Sequence, residues 1–368
     1  MKIALCTEIL YPIYGVEKRV YEMAKRLPKY GFDVTVYTSS SPKELPDIAI
    51  KHVSHTTITR PPKRNYIYCM EYMLNLYKEL LKDDYDIIDA NGHLALMPCS
   101  LAAMSRRKPV VATIHDLYLN QWLRMYNGFG AVFGLPFELL FCKMPYDKVL
   151  TLNSSLKRRM INMMGMEKKK IEVVPSGIDV SYIDKVRCGR KGKNTVLYVG
   201  RLVPQKGVDV LLRAFSRIVD AELRIVGSGS ELPKLKGLAE ALGIANRVEF
   251  LGSLKNHDSV IREMKKATAV ILPSVRECFG IVPLEAMCCR TAVISTETEG
   301  PRDYIKDGEN GSLVGINNIN ELSVKIKNVL HDKKIRKTFE KNGRKTAELY
   351  DWDKIVKRMA EVYEAVVN

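Results

Sequence analysis

The chain reads as an α/β protein with two doubly wound parallel sheets, one in each half. Three observations predict this. Short apolar runs alternate with helix-period segments along the chain, the alternation occurs as two series, and a polar, basic stretch separates the series. The 368 residues are 46% hydrophobic and 27% charged, which suits a globular protein of two domains better than one.

In the first half, strands are predicted at 3–6, 33–37, 87–90, 110–114, 148–152 and 171–174, with helical stretches between most of them. In such a sheet, ligands bind beyond the carboxyl ends of the strands. Two features lie there. Gly15 follows the loop Tyr11-Pro-Ile-Tyr14 and precedes a helix starting near Val16, and His115 comes directly after strand 110–114. The glycine equally fits a tight strand-to-helix turn, and the histidine a satisfied hydrogen-bonding residue.

Segment 116–146 is unusually apolar and carries Trp122, Tyr126, Phe129, Phe133, Phe137 and Phe141. A second apolar helix is expected over 63–82, with Arg60, Lys63 and Arg64 on its flank. Aromatic faces with basic flanks suit a membrane surface or a lipid acceptor. They equally suit core packing or an oligomer contact.

The run Val174-Pro-Ser-Gly-Ile-Asp-Val180 closes the first series. Residues 184–194, with Lys185, Arg187, Arg190, Lys191 and Lys193, read as a linker. Strands follow at 195–199, 222–226, 247–250, 269–272 and 292–295, each with a helix after it. Their ends carry polar chemistry. Arg201 and Lys206 share the turn before Gly207, where both cations can reach one diphosphate. Gly227-Ser228-Gly229 lets backbone approach a ligand, and the turn ending at Leu254 can offer main-chain groups to a flat base. Each of these turns also fits simple chain reversal.

The stretch 270–289 is the densest in signals: a buried strand, Glu277 in a turn, Gly280, then a helix with Pro283 near its start and Glu285 on its first turns. Amide groups around Phe279, Gly280 and Ile281 would point from the helix N-terminus at phosphate or sugar oxygens. Two carboxylates eight residues apart could grip such a ligand. A capped helix with two solvated glutamates has the same sequence.

Composition narrows the rest. The eight cysteines show no metal-ligand spacing, and adjacent Cys288 and Cys289 read as reduced core thiols. No apolar stretch reaches membrane-spanning length, and the N-terminal segment is too short for a signal peptide, so a cytoplasmic protein is expected. The net charge of +16 favours phosphorylated ligands or an anionic membrane face. Zinc-finger spacing and RNP-like aromatic motifs are missing, so nucleic acid is not an expected partner.

Taken in order, Val-Pro-Ser-Gly-Ile-Asp, Val-Gly-Arg-Leu with Lys206-Gly207, Val-Gly-Ser-Gly, Phe-Leu-Gly, Glu277 to Glu285, Asp307-Gly-Glu-Asn-Gly and the closing Tyr350-Asp-Trp-Asp resemble the family-4 retaining glycosyltransferases (glycosyl transferases group 1) over essentially the whole chain. The resemblance implies the GT-B fold, two Rossmann-like domains facing a cleft. Residues 1–180 would form the acceptor-side domain, with helix 352–368 packing back on it, and 192–348 the donor-binding domain. It implies transfer from a nucleotide-diphosphate sugar, taken here as a UDP-sugar, to a hydroxyl acceptor in cell-surface glycan, glycolipid or lipid-linked oligosaccharide synthesis. Carried over by position, Arg201 and Lys206 would bind the diphosphate, Glu277 the sugar with help from Phe279 to Val282, Glu285 the ribose, and His115 the sugar from the other domain. Gly15, Gly227, Ser228, Gly229 and Leu254 would complete the donor site. Tyr14 stands where the family commonly has a glycine.

No cofactor is expected, and no metal. The two D-x-D strings, Asp84-Tyr-Asp86 and Asp351-Trp-Asp353, precede a strand and cap a helix. The alternatives are a nucleotide-sugar epimerase and a non-catalytic nucleotide-sugar-binding protein of the same fold. A phosphorylase-like enzyme would need a pyridoxal-phosphate lysine setting that the sequence lacks.

Overall fold

The structure is a computed structural model that describes residues 1–11, 15–42, 45, 47–54, 65–119, 129–189 and 192–368, without the side chains of 129–133. Tyr14, Arg60, Lys63, Arg64, Trp122, Tyr126, Arg190 and Lys191 therefore lie outside the described residues, as do the side chains of Phe129 and Phe133. The chain divides into two compact units. Met1–Ser176 with Asp353–Asn368 forms the first and Gly177–Trp352 the second.

In the first unit, the described strands are β1 (Lys2–Thr7), β2 (Asp33–Thr38), β3 (Ala49–His52), β4 (Ile87–Asn91), β5 (Val110–Ile114), β6 (Lys148–Thr151) and β7 (Ile171–Val173). They pair in the order β3-β2-β1-β4-β5-β6-β7, all parallel. β4 and β5 are buried along their whole length, as strands covered on both faces must be. β3 had no counterpart in the sequence reading. It is an edge strand of four residues with no buried position, so it carries no apolar run to detect.

The second unit repeats the plan with β8 (Thr195–Val199), β9 (Glu222–Val226), β10 (Val248–Gly252), β11 (Ala269–Leu272), β12 (Ala292–Thr296) and β13 (Ser312–Val314). Their order is β10-β9-β8-β11-β12-β13, again all parallel. β13 is the other strand that the pattern did not announce, three residues at the sheet edge. Helix Val208–Phe215 buries Val208, Leu211, Leu212 and Phe215 against this sheet. Each fully buried side chain of that size contributes about 1.5–3 kcal/mol.

In both sheets the strand order reverses once, between β1 and β4 and between β8 and β11. There the connections leave in opposite directions and open a crevice at the carboxyl ends.

The final helix, Trp352–Val367, runs from Asp353 onward in the first unit. Tyr363 donates to Asp89, which is fully buried at the centre of β4 and also accepts from Thr113 at 3.1 Å. Burial pushes the Asp89 carboxyl up, and the Arg19 guanidinium, equally buried, down. Arg19 donates to the Pro175 carbonyl at 2.5 Å and to the Met359 sulfur. These contacts fasten the last helix to the first sheet. In the second unit, Ile178 donates to Tyr350 at 2.8 Å and accepts from Trp352 at 3.0 Å, so the two chain passages run side by side.

Candidate active site

The loop after β8 carries two of the expected cations. Arg201 is exposed, and its carbonyl accepts the Tyr198 hydroxyl at 2.9 Å. Pro204–Lys206 makes a single tight turn, ended by Gly207 in the left-handed region (φ 62°). A Cβ at Gly207 would lie 2.2 Å from the Pro273 carbonyl oxygen, so only glycine lets this loop abut the one after β11. Val275 seals the junction by donating to Gln205 at 2.9 Å. The result is a contact between residues far apart in sequence. Lys206 Nζ lies 2.5 Å from Glu277 Oε2, both largely shielded from solvent, at the point where the strand order reverses.

Glu277 leads into Gly280, which is also left-handed (φ 79°), and then into helix Ile281–Cys288. Tyr304 donates to the Gly280 carbonyl at 2.7 Å, and Gly300 approaches so closely that a Cβ would sit 2.3 Å from the Phe279 Cα. Phe279, Tyr304 and Tyr350 pack their rings 5.7–6.0 Å apart beneath the turn. No side chain caps this helix, so its first amides, those of Ile281 and Val282, have their donors available for an anion or a hydroxyl. Pro283 stands at the third helical position.

Glu285 departs from the alternative of a solvated glutamate. It is 4% exposed, and its Oε1 lies 3.2 Å from His257 Nε2. His257 was not among the residues singled out from sequence. Its signal is faint, a histidine directly after the helix cap Asn256.

The glycine turns hold the neighbouring strand ends together. Gly227 donates to the Gly252 carbonyl at 2.8 Å, and a Cβ on it would lie 1.9 Å from the Gly200 oxygen. One on Gly229 would lie 2.1 Å from the Leu202 oxygen. Ser228 is exposed and bonds the Ser253 hydroxyl at 2.9 Å, with half-buried Leu254 next in the chain. Arg201, Lys206, Gly227, Ser228, Gly229, Leu254, Glu277, Phe279, Gly280, Ile281, Val282 and Glu285 thus all lie in loops or at a helix start on the carboxyl side of one sheet.

Gly15 and His115 belong to the first unit. Gly15 begins helix Gly15–Arg26, and among the described residues nothing lies within 4 Å of the position a Cβ would take. His115 follows β5, and its Nε2 sits 3.4 Å from Asn91 Oδ1 at the end of β4. Burial, helped by the charges of Arg19 and His93, pushes the imidazole down to about 3. At neutral pH His115 is therefore an uncharged hydrogen-bonding group. Nearby, Glu138 accepts from the amides of Tyr118 and Leu119 at 2.7 and 2.6 Å and faces His93 at 3.4 Å, a cluster that sequence gave no means to assemble.

Both D-x-D strings are engaged in structural contacts. Asp84 pairs with the Lys2 ammonium at 2.8 Å and Asp86 accepts the Lys2 amide. Asp351 accepts the Val180 amide at 3.2 Å, and Asp353 pairs with Arg26 at 3.0 Å. Among the described residues no group of three or more His, Cys, Asp or Glu side chains is placed to hold a metal ion.

Comparison with known proteins bears on the family and the fold. Residues 13–182 match the model for Glycosyltransferase Family 4, and residues 184–346 that for Glycosyl transferases group 1. An uncharacterized glycosyltransferase of Methanocaldococcus jannaschii is 28% identical over 98% of this chain and 97% of its own. The phosphatidyl-myo-inositol mannosyltransferase of Mycolicibacterium smegmatis is 27% identical over 96% and 90%. Among solved structures, the sucrose-phosphate synthase of Thermosynechococcus elongatus superposes with a TM-score of 0.82 at 22% identity, covering 99% of this chain and 98% of that one. Anabaena HepE, solved with UDP, superposes at 0.81 with 21% identity, covering 99% and 100%. At these identities the structural likeness is one of fold. With two family models spanning nearly all of its length and two parallel sheets of the matching architecture, the chain belongs to the GT-B-fold glycosyltransferases.

Proposed function

We propose that this glycosyltransferase moves a sugar from a nucleotide-diphosphate sugar, taken as a UDP-sugar, to a hydroxyl acceptor with retention at the anomeric carbon. The observation that carries the reading is the Lys206–Glu277 contact at 2.5 Å, set where the strand order reverses and beside an uncapped helix N-terminus. A cation for the diphosphate and a carboxylate for sugar hydroxyls stand together there. Arg201, on the same loop, is exposed and has no ion-pair partner among the described residues.

As the bond from the anomeric carbon to the diphosphate oxygen breaks, Arg201 and Lys206 neutralise the charge that develops on the phosphate. The acceptor oxygen bonds to that carbon from the same face, and its proton passes to the departing phosphate oxygen. The oxocarbenium-like sugar is flanked by Glu277 and the helix amides.

HepE has been solved with UDP, with UDP and glucose and with UDP-glucose, which supports a uridine donor. Relatives named as acting on phosphatidyl-myo-inositol or lipopolysaccharide outer core support an acceptor in glycolipid or cell-surface glycan synthesis. So do apolar side chains that the first unit leaves in solvent. Ile67 is 74% and Met70 71% exposed on helix Tyr66–Lys82, while Phe137 and Leu140 are about half exposed on helix Phe129–Cys142. Both helices pack against helix His93–Arg106. Apolar side chains of this kind can rest in a lipid headgroup region, with basic residues adding attraction to an anionic leaflet. No described helix is long and apolar enough to cross a membrane.

Calorimetry with UDP and a panel of UDP-sugars tests the donor. Glu285→Gln should weaken free UDP by about tenfold, a charged hydrogen bond's share. Glu277→Gln should spare free UDP and impair only the intact donor. Equal losses of free UDP in both variants would remove the division of labour. Release of free UDP without any glycosylated acceptor would point to the epimerase alternative. Vesicle cosedimentation tests the acceptor side. Binding to anionic vesicles should fall on Ile67→Glu with Met70→Glu, and no binding to any vesicle at low salt would indicate a soluble acceptor.

A further inference from the structure

We propose that His257 is a positioning residue for nucleotide binding, holding the Glu285 carboxylate in the one orientation that meets the ribose hydroxyls; this rests on the reading of Glu285 as the ribose carboxylate. Glu285 is 4% exposed between Leu284 and Ala286, both fully buried, on a helix with no polar face. A carboxylate withdrawn that far from water needs donors. His257 places its Nε2 3.2 Å from Oε1, within reach of donating. On this proposal Nε2 is the protonated nitrogen that faces the carboxylate, which only accepts.

The imidazole is itself held from two further sides. It opens helix His257–Lys266, whose cap Asn256 accepts the Ser259 amide at 2.9 Å, so the backbone beneath the ring is set. Its face stacks on Tyr182, centroids 5.6 Å apart and planes 15° from parallel. Tyr182 is anchored in turn. Its amide donates to Asp179 at 2.8 Å and its hydroxyl to Asp258, the residue after His257. Tyr, His and Glu from three separate elements therefore form a chain that ends on the carboxylate.

Two consequences follow. The carboxylate cannot swing about its terminal torsion, so the cost of ordering it is met before the nucleotide arrives. The loop that carries Leu254, where the base is expected, also runs directly into His257, so base and ribose contacts are linked through the 3.2 Å approach of His257 to Glu285.

The test is calorimetry with UDP and with 2′,3′-dideoxy-UDP, which has the same base and diphosphate but no ribose hydroxyls. His257→Ala should weaken UDP by about tenfold and leave the dideoxy analogue within about twofold of wild type. His257→Gln, whose amide nitrogen can occupy the place of Nε2, should recover most of the loss. His257→Asn, which cannot reach it, should not. The double variant His257→Ala, Glu285→Gln should be no weaker than Glu285→Gln alone. In turnover, KM for the donor should rise while kcat stays within about twofold.

Equal losses of UDP and the dideoxy analogue, or an unchanged UDP affinity in His257→Ala, would overturn the proposal, the first by making the histidine a general packing element. His257 is more than a third exposed at its side chain, and a thermal melt of each variant separates misfolding from lost affinity. If Glu285→Gln itself leaves UDP binding unchanged, the ribose reading fails first and this one with it. A Glu285→Gln effect without a His257→Ala effect sinks the positioning role alone.

Discussion

The two units share one strand plan and differ at its carboxyl edge. In the second, the edge is charged and locked. Lys206 faces Glu277, and Gly207, Gly227, Gly229 and Gly300 each sit where a Cβ would fall within about 2.4 Å of another backbone atom. In the first, Gly15 has no described residue within 4 Å of where a Cβ would lie, and the principal candidate, His115, is buried and uncharged. The same topology thus carries two kinds of edge. Among the described residues, one sets a lysine, a carboxylate and helix amides in closely abutting loops, and the other sets a buried, neutral histidine near a buried carboxylate. A parallel sheet supplies a crevice, while the loops supply the chemistry.

The sharpest way to break this contrast is to remove charge from the locked edge. On the proposed reading, in which each acts on charge that develops as the bond breaks, Arg201→Ala or Lys206→Ala should lower kcat at saturating donor by about a hundredfold or more. A raised KM with unchanged turnover in steady-state assays would reduce both to docking residues. Replacing His115 by Gln, which keeps a neutral hydrogen-bonding group, should cost far less.

Next in size is the glycine comparison. Gly227→Ala forces a Cβ to within 1.9 Å of the Gly200 oxygen at φ 136°, and should cost about 2 kcal/mol or more in denaturant melts while abolishing UDP binding. Gly15→Ala, at a helix start with nothing nearby, should stay within about 0.5 kcal/mol of wild type. Equal losses at the two positions would mean that the two edges are equally constrained.

The smallest effect concerns pH. The His115 imidazole titrates at about 3 when folded against an ordinary value of 6.5. Its contribution to stability is thus present above 6.5 and is lost as pH falls from there toward 3, since the unfolded chain takes up the proton first. The stability deficit of His115→Asn relative to wild type should therefore shrink between about pH 7.5 and 4.5 in thermal melts. A deficit that stays constant across that range would mean that the imidazole is not held neutral by the fold.

Much of this protein was legible in its sequence, because buried parallel strands are written as apolar runs and turns as glycines. β5, β8, β9 and β11 lie at the residues the pattern indicates, and the order of motifs from Val174 to Trp352 was sufficient for the family. The edge strands β3 and β13 were invisible, since β3 has no buried position and β13, though buried at two of its residues, is only three residues long. Tertiary structure alone decided what meets what. It brought Lys206 to Glu277, turned Glu285 inward and gave it His257, and buried His115 beside Arg19 until its imidazole lost its charge. Sequence spacing records which residues share a helix face or a turn. Contacts between loops of different strands, and the burial that shifts a pKa, depend on how strands order themselves in the sheet, and that is a property of the packed chain.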